Sequence, residues 1–165
     1  MTHPDPMTYP DPAYLGEGGE SSATYRPDST APDYVYKNGT RVHYLATGAS
    51  TNGRFGLYRW EMGPVPSGPS PHFHRSISES FYVLAGTVRI FDGATWIDTR
   101  AGDWVHVPEG GVHGFRNESG EPASMLIHFS PGAPREAYFE GTPHLAEMTD
   151  EERVAFFLEH DTFWV

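Results

Sequence analysis

Turn-forming residues recur at short intervals between Tyr34 and Phe129, and this spacing is what most constrains the fold. The 18 glycines and 15 prolines make up a fifth of the 165 residues, whereas they make about 12% of an average chain. Between them lie short segments of alternating polarity, such as Arg54–Met62. About seven or eight such segments, with turns every ~8–12 residues, predict an all-β fold, a sandwich or a barrel of antiparallel strands.

The predicted strands can be placed along the chain. Asn38-Gly39 and Asp92-Gly93 are typical of two-residue hairpin turns. The predicted strands are Tyr34–Lys37, Thr40–Thr47, Arg54–Met62, Glu79–Phe91 with a kink at Gly86, Thr95–Thr99, Asp103–Val107, Gly114–Asn117 and Ser124–Phe129. We therefore expect a barrel domain over residues 34–148.

The N-terminal region differs from this pattern. Residues 1–33 are rich in proline and lack a sustained apolar period, which predicts an extended arm. The arm is either loosely packed or laid across the domain or a second subunit. The residues that would make such contacts are Tyr9, Tyr14, Leu15 and Tyr25.

The C-terminal region changes to a helical period. Thr149 and Glu152 have capping-box spacing. They precede an apolar stripe formed by Val154, Phe157 and Leu158. We expect a short helix from about Asp150 to His160, packed outside the sheets, within a C-terminal helix and tail over residues 149–165. A further helical turn fits Arg135–Phe139.

Charge and composition exclude several functions. The chain has 11 Lys and Arg against 22 Asp and Glu, a net charge of −11, which argues against nucleic-acid partners and anionic membranes. There is no long apolar run and no basic leader followed by an apolar stretch, so we expect a cytoplasmic protein. The absence of cysteine excludes disulfides and thiolate sites. Metal binding would therefore use carboxylates and the nine histidines.

The segment His72-Phe73-His74 carries the chemistry. Side chains at i and i+2 of a strand point to the same face, so both imidazoles can approach one ion. Glu79 follows at the start of the next predicted strand, and His113 follows a Pro/Gly turn. Three imidazoles and one carboxylate suit a divalent first-row metal.

The same residues resemble the cupin family. The first cupin motif, G-x5-H-x-H-x3,4-E-x6-G, is matched from His72 through Glu79 to Gly86, except that Pro66 replaces the leading glycine. The second motif, G-x5-P-x-G-x2-H-x3-N, is matched at every position by Gly102, Pro108, Gly110, His113 and Asn117. The resemblance covers roughly residues 40–130. Two motifs in the right order are a far more specific signal than one.

The resemblance implies a double-stranded β-helix, the cupin jelly-roll barrel. It implies that His72, His74, Glu79 and His113 bind one divalent metal: Fe, Mn, Ni, Co, Cu or Zn. Asn117 is expected to tie the turn before His113 through bonds to the backbone. Single-domain cupins also pair, so we expect a homodimer whose interface involves the arm and the edge strands of Tyr34–Thr47.

Three functions remain open from the sequence. One is a quercetinase-type dioxygenase that consumes O2, with a small aromatic or enolisable substrate and Glu79 acting as ligand and catalytic base. Another is a cyclase or isomerase of polyketide metabolism that uses the metal as a Lewis acid. A third is a small-ligand-binding protein without turnover.

Further residues are candidates for the cavity. His106 and His128 could line it as acid–base groups, and His43 is a weaker candidate. His3, His144 and His160 are predicted to face solvent. The aromatic candidates for an apolar lining are Phe81, Tyr58, Trp60, Phe115 and Phe129.

Overall fold

A computed structural model describes residues 8–165, which form eleven strands, two α-helices and a 3-10 helix. The strands are β1 (Tyr34–Val35), β2 (Arg41–Ala46), β3 (Gly56–Met62), β4 (His72–Phe73), β5 (Ser78–Ala85), β6 (Thr87–Phe91), β7 (Trp96–Arg100), β8 (Trp104–Val107), β9 (Gly114–Arg116), β10 (Ala123–Ser130) and β11 (Phe163–Trp164). The helices are α1 (Arg135–Gly141), the 3-10 helix (Thr142–Glu147) and α2 (Asp150–Glu159). The described helices are too short and too polar to cross a bilayer.

The larger sheet contains six antiparallel strands in the order β1-β2-β3-β10-β5-β8. Strands β1 to β3 are neighbours in the chain, but β10 lies between β3 and β5. Every second residue of β10 is buried: Ala123, Met125, Ile127 and Phe129. This alternation directs one face of the sheet to the core, as the sequence pattern predicts.

The opposite side of the jelly roll is assembled from smaller pieces. Strands β7, β6 and β9 form one sheet, and β4 pairs with β11. A backbone bridge joins them, because the amides of His72 and His113 each donate to the carbonyl of the other residue over 2.8 Å. This bridge places two histidines of the predicted ligand set directly opposite each other.

The single long strand predicted over Glu79–Phe91 is two strands in different sheets. Gly86 separates them with φ of +73°, a value that glycine tolerates best. A Cβ there would lie 2.4 Å from the carbonyl oxygen of Pro122. The chain therefore crosses from the larger sheet to the smaller one at Gly86. The kink predicted within one strand is the boundary between two strands of different sheets.

Both predicted hairpins close with wider loops than two residues. Val35 pairs with Arg41, and Phe91 pairs with Trp96. In the second loop the side chain of Asp92 accepts hydrogen bonds from two backbone amides, those of residues 94 and 95, each over 2.8 Å. Such bonds stabilise a longer turn than the Asp-Gly dipeptide alone predicts.

The core fills the space between the sheets. The larger sheet contributes Tyr58, Phe81 and Met125, and the smaller sheets contribute Ile90 and Phe115. Each fully buried large apolar side chain adds about 1.5–3 kcal/mol of stability. This core holds the sheets at the spacing that leaves a cavity at one end.

The predicted C-terminal helix is confirmed as α2, and its start is set by the predicted capping box. The amide of Glu152 donates to Thr149 Oγ1, and the amide of Thr149 donates to Glu152 Oε2. The predicted apolar stripe is wrong in part, because Val154 and Leu158 are exposed. The buried side of α2 is formed by residues 156 and 157, which pack against α1 and the core.

Helix α1 confirms the helical turn predicted over Arg135–Phe139. The 3-10 helix and strand β11 were not predicted. Strand β11 has only two residues and pairs with the equally short β4. Such pairing is decided by the position of the chain after α2 and leaves no periodic pattern.

The described part of the arm, residues 8–33, contains no helix or strand. Tyr9, Leu15 and Tyr25 are between 88% and 99% exposed, so they do not pack across their own domain. The end of the arm is held to the barrel by the ion pair from Asp28 to Arg59 and by the amide of Tyr44, which donates to the carboxylate of Asp33. Contact with a second subunit, and the domain bounds at residues 33 and 148, stay predictions.

Candidate metal centre

The four residues of the predicted ligand set form one buried cluster. His72 lies in β4, His74 just after it, Glu79 in β5 and His113 just before β9. Each of the four residues is at most 5% exposed. One nitrogen or oxygen atom from each lies within 4.8 Å of the others, so the cluster can hold a single ion.

Each histidine of the cluster is oriented by a backbone carbonyl. The Nδ1 atoms of His72, His74 and His113 donate to the carbonyl oxygens of Ser70, Asp161 and Gly111 over 2.8, 2.6 and 2.9 Å. A carbonyl can only accept, so Nδ1 carries the hydrogen in all three rings. In the neutral rings Nε2 is then the lone-pair atom, as is usual for histidine ligands.

The carboxylate of Glu79 lies between two of these rings. Its Oε2 atom is 3.1 Å from Nε2 of His74 and 2.7 Å from Nε2 of His113. With the hydrogen on Nδ1, a neutral ring has no Nε2 hydrogen to give to Glu79. The carboxylate of Glu79 and these rings must therefore share a cation, either a proton carried by a ring or a metal ion that both groups bind. The donor set thus fits a divalent metal on its own chemistry.

The pKa shifts of the cluster follow from burial and from this contact. Burial lowers the pKa of His72 to about 4, so the ring is neutral at pH 7. Burial opposes ionisation of Glu79, but the His113 and His74 rings outweigh it and hold its pKa well below the usual range. Burial also acts to lower the pKa of His113, yet the Glu79 charge raises it overall. Without metal, these opposite pKa shifts favour a proton on His113 and a negative charge on Glu79.

Asp161, in the last turn of the chain, forms hydrogen bonds to His74 and to the loop that follows it. The backbone carbonyl of Asp161 accepts from His74, and its carboxylate accepts from the amides of Arg75 and Ser76 and from the hydroxyl of Ser76. Asp161 thus orders both the ring of His74 and the loop that follows it. The sequence contains no periodic signal for this contact.

A cavity of about 270 Å³ opens onto the cluster and is lined by His72 and Glu79. Seven aromatic side chains contribute to its wall, those of Tyr36, Trp60, Phe115, Phe129, Tyr138, Phe139 and Trp164. Arg135 also lines it and was not predicted as a site residue. An apolar cavity with a few polar groups at one end is typical of sites for small planar molecules.

The predicted lining is confirmed in part. Trp60, Phe115 and Phe129 line the cavity. Tyr58 and Phe81 are fully buried in the core instead, because their neighbours on both sheets cover them.

Two of the other histidines lie on the wrong face for the cavity. His106 and His128 alternate with buried residues of β8 and β10, so they occupy the outer face of the larger sheet. His106 contacts Ser80 over 2.8 Å, and His128 stacks on Phe55. The prediction that either lines the cavity is therefore wrong, because pairing of the strands turns the faces that carry these two side chains away from it.

His43 and His160 have structural contacts. His43 is buried and lies 3.2 Å from the carboxylate of Glu61. His160, predicted to face solvent, is half-buried, packs on Phe156 and accepts a hydrogen bond from Arg135 through its carbonyl. His144 is exposed, as predicted, and His3 lies outside the described residues.

Asn117 is fully buried and binds the backbone. Its Nδ2 atom donates to the carbonyls of Gly63 and Glu121 over 3.0 and 2.7 Å. It therefore joins the loop after β3 to the loop after β9. The sequence led us to expect that it would bind the turn before His113, and this expectation is wrong. Asn117 therefore supports the candidate site only indirectly, by holding these two loops in place.

Comparison with known proteins agrees with this geometry. The family model of the cupin domain matches residues 58–129. The chain is 30% identical over 105 residues to quercetin 2,3-dioxygenase of Bacillus subtilis (strain 168), covering 58% of this chain and 31% of that protein. It is 37% identical over 67 residues to polyketide synthase CurC of Streptomyces cyaneus, covering 40% and 43%. The chain thus spans less than half the length of these two relatives.

A solved structure shows the same fold. KdgF from Halomonas sp. superposes with a TM-score of 0.59 at 15% identity, over 70% of this chain and 99% of that one. The family match shows a cupin domain over residues 58–129, and the two motifs, the jelly roll and the buried His/Glu cluster support a member of the cupin superfamily.

Proposed function

We propose that the protein is a metal-dependent dioxygenase that acts on a small aromatic or enolisable substrate. The observation that carries the proposal is the convergence of His72, His74, Glu79 and His113 at the end of an aromatic cavity. The similarity to a quercetin dioxygenase supports the same reaction class. Molecular oxygen is the proposed co-substrate.

The proposed ligands are Nε2 of the three histidines and the carboxylate of Glu79. A divalent metal bound there supplies a Lewis acid that lowers the pKa of a substrate hydroxyl. Glu79 is the one carboxylate among the described residues that line the cavity. It is therefore the residue placed to accept the proton that such a hydroxyl loses.

The aromatic wall of the cavity would bind the substrate and exclude water. Aromatic side chains from both sheets enclose the space beside Glu79. A planar substrate would stack on these rings, and water would be excluded from the reacting carbon. Exclusion of water protects a reactive intermediate from hydrolysis.

A Lewis-acid cyclase of polyketide metabolism is the second candidate. The similarity to CurC of Streptomyces cyaneus favours it. In that reaction the apolar cavity would fold a flexible substrate, and no oxygen would be consumed. The same four ligands would serve both reactions.

The decisive experiment is metal analysis of protein purified without chelators, followed by oxygen-uptake assays with flavonols and enolised diketones. Oxygen uptake that depends on the metal is expected. Ring closure without oxygen uptake would support the cyclase instead, and a metal-loaded protein inactive in both assays would support a binding protein. His74→Ala is the control, because it should empty the site while the core, which does not include His74, keeps its fold.

The proposed cytoplasmic location rests on the sequence alone. The proposed partners are the small-molecule substrate, oxygen and a second copy of the chain.

A further inference from the structure

Arg135 places a buried positive charge in the cavity wall. The residue is 3% exposed and lines the same cavity as Glu79 and His72. Its Nη1 atom donates to the backbone carbonyl of His160 over 2.7 Å. Its Nε atom is buried without a hydrogen-bond partner. Within residues 8–165 no carboxylate lies within 4.0 Å of the guanidinium, so the charge has no ion-pair partner in the protein.

A buried charge of this kind is costly unless something compensates it, and buried arginines are normally paired. The aromatic rings around Arg135 compensate in part. The guanidinium carbon lies 4.2 Å from the ring centre of Tyr138 and 5.2 Å from that of Phe129. Cation–π contacts are worth about 0.5–2 kcal/mol each, which leaves a guanidinium well placed for an anionic ligand.

The charge balance of the cavity points the same way. Glu79 is the one carboxylate among the described residues that line the cavity, and it is already engaged with His74 and His113. A divalent metal, one carboxylate, three neutral imidazoles and one guanidinium sum to a net charge of about +2. A neutral substrate would leave this charge uncompensated in an apolar space.

We propose that Arg135 selects an anionic substrate, a small aromatic or enolisable molecule whose carboxylate pairs with the guanidinium. This inference rests on the proposed function for the end of the cavity formed by the His/Glu cluster. The aromatic rings bind the flat body of the molecule, and Arg135 holds its charged group. Arg135 is then a specificity-determining residue that takes no part in the proton transfer assigned to Glu79.

Benzoate and benzamide are the probes that test this, because they have the same shape and differ in charge. Binding is measured by calorimetry on protein stripped of metal with a chelator and again after loading with Zn²⁺. Benzoate should bind at least about 10-fold more tightly than benzamide in both forms, since a charge-assisted pair is stronger than a neutral one. The stripped protein removes any direct contact between carboxylate and metal.

Arg135→Met should weaken benzoate binding by about 10- to 100-fold and leave benzamide unchanged, whereas Arg135→Lys, which keeps the charge, should retain part of the preference. Zn²⁺ stoichiometry and circular dichroism check that both variants keep the metal site and the fold. If Arg135→Met does not fold, the comparison of the two probes on the unaltered protein and on Arg135→Lys decides.

The proposal is overturned if stripped protein binds both probes equally, if it binds neither at millimolar concentration, or if a folded Arg135→Met variant binds benzoate as tightly as before. The outcome is independent of the proposed reaction. Absence of metal or of turnover would refute the metal-dependent dioxygenase, yet it would leave the benzoate measurement on stripped protein unaffected.

Discussion

The Nδ1 atom of His74 lies 2.6 Å from the backbone carbonyl oxygen of Asp161, which is 87 positions further along the chain. The ring of a candidate metal ligand is therefore oriented by the C-terminal segment and not by the strand that precedes it. Groups that bind the second nitrogen of a ligating histidine fix its orientation and raise its basicity. The final turn of the chain is in this sense part of the candidate metal centre.

Asp161→Ala keeps the carbonyl that orients His74 but removes the side chain that holds this turn in place, so it should lower metal affinity by about 10-fold, the lower end of the usual cost of disturbing a group that orients a ligand. Asp161 has φ of +51°, which alanine disfavours, and its carboxylate caps the amides of Arg75 and Ser76. Titration of Co²⁺ into metal-free protein measures the change. Asp161→Asn is the matched control and should lose less, because asparagine tolerates this backbone conformation and keeps one acceptor. Equal affinity of Asp161→Ala and the unaltered protein would contradict the role of this turn.

Glu79→Gln separates a catalytic base from a ligand. The amide still offers an oxygen to the metal but cannot take a proton, so metal content should fall modestly while the rate falls by about 10²-fold or more. Metal occupancy and oxygen uptake are measured on the same sample. A rate that merely tracks occupancy would refute the base role and favour the Lewis-acid cyclase.

The metal-free protein should lose stability as the pH falls from about 6.5 toward 4. Burial lowers the pKa of His72 from 6.5 to about 4, so the unfolded chain binds the proton first and acid favours unfolding. This contribution to stability is fully present above pH 6.5 and amounts to roughly 3 kcal/mol for a shift from 6.5 to about 4. The pKa of His113 is raised in the folded protein. Its contribution to the free energy of unfolding is therefore already fully present below pH 6.5 and does not change as the pH falls further.

Urea unfolding of chelator-treated protein at several pH values measures this slope. His72→Gln should flatten it, since glutamine does not titrate. Burial lowers the pKa of His128 and His160 as well, and the lowered pKa of Glu79 adds a loss of the same sign as the pH falls below about 4.5. These shares should persist in the variant. An unchanged slope in His72→Gln would show that His72 does not carry the effect.

Gly86→Ala should destabilise the fold by about 2–4 kcal/mol. The added Cβ would meet the carbonyl oxygen of Pro122 at 2.4 Å, in addition to the strain of a positive φ. Gly102→Ala is the matched control, because Gly102 has φ of +93° and nothing within 4 Å of the added Cβ. It should cost only about 1 kcal/mol from backbone strain. Equal losses in thermal or urea unfolding would show that the close approach of the strands is not the cause.

The homodimer stays a prediction, and light scattering at micromolar concentration tests it. Val35 lies on the edge strand β1 and is 55% exposed. Val35→Lys should shift the protein toward monomer, because lysine on an edge strand opposes pairing. Val154→Lys on helix α2, where the valine is 59% exposed, should leave the mass unchanged. A monomeric unaltered protein would refute the expectation.

The limits of sequence reasoning are clearest at Gly86 and α2. The glycine and the strand pattern around it predict a bend, but whether the chain bends within one sheet or crosses to another depends on the approach of Pro122 from a distant loop. Likewise the capping box sets where α2 begins, whereas its buried side is chosen by Tyr138 of α1. A hydrogen bond between residues close in the chain can be predicted from the sequence, whereas the packing partners of a helix cannot.

The sequence by itself determined the strand-rich architecture and the pairing of His72 with His74, because strand period and turn chemistry act over a few residues. The grouping of both histidines with Glu79 and His113 came from the resemblance of the two motifs to the cupin family. Only the tertiary structure decided that Asp161 orients His74, that Arg135 enters the cavity wall and that His106 and His128 face away from it. The physical reason is that Asp161 and Arg135 reach the site through long-range packing of the C-terminal segment. The barrel's inner and outer faces are likewise assigned only when the strands of both sheets pair.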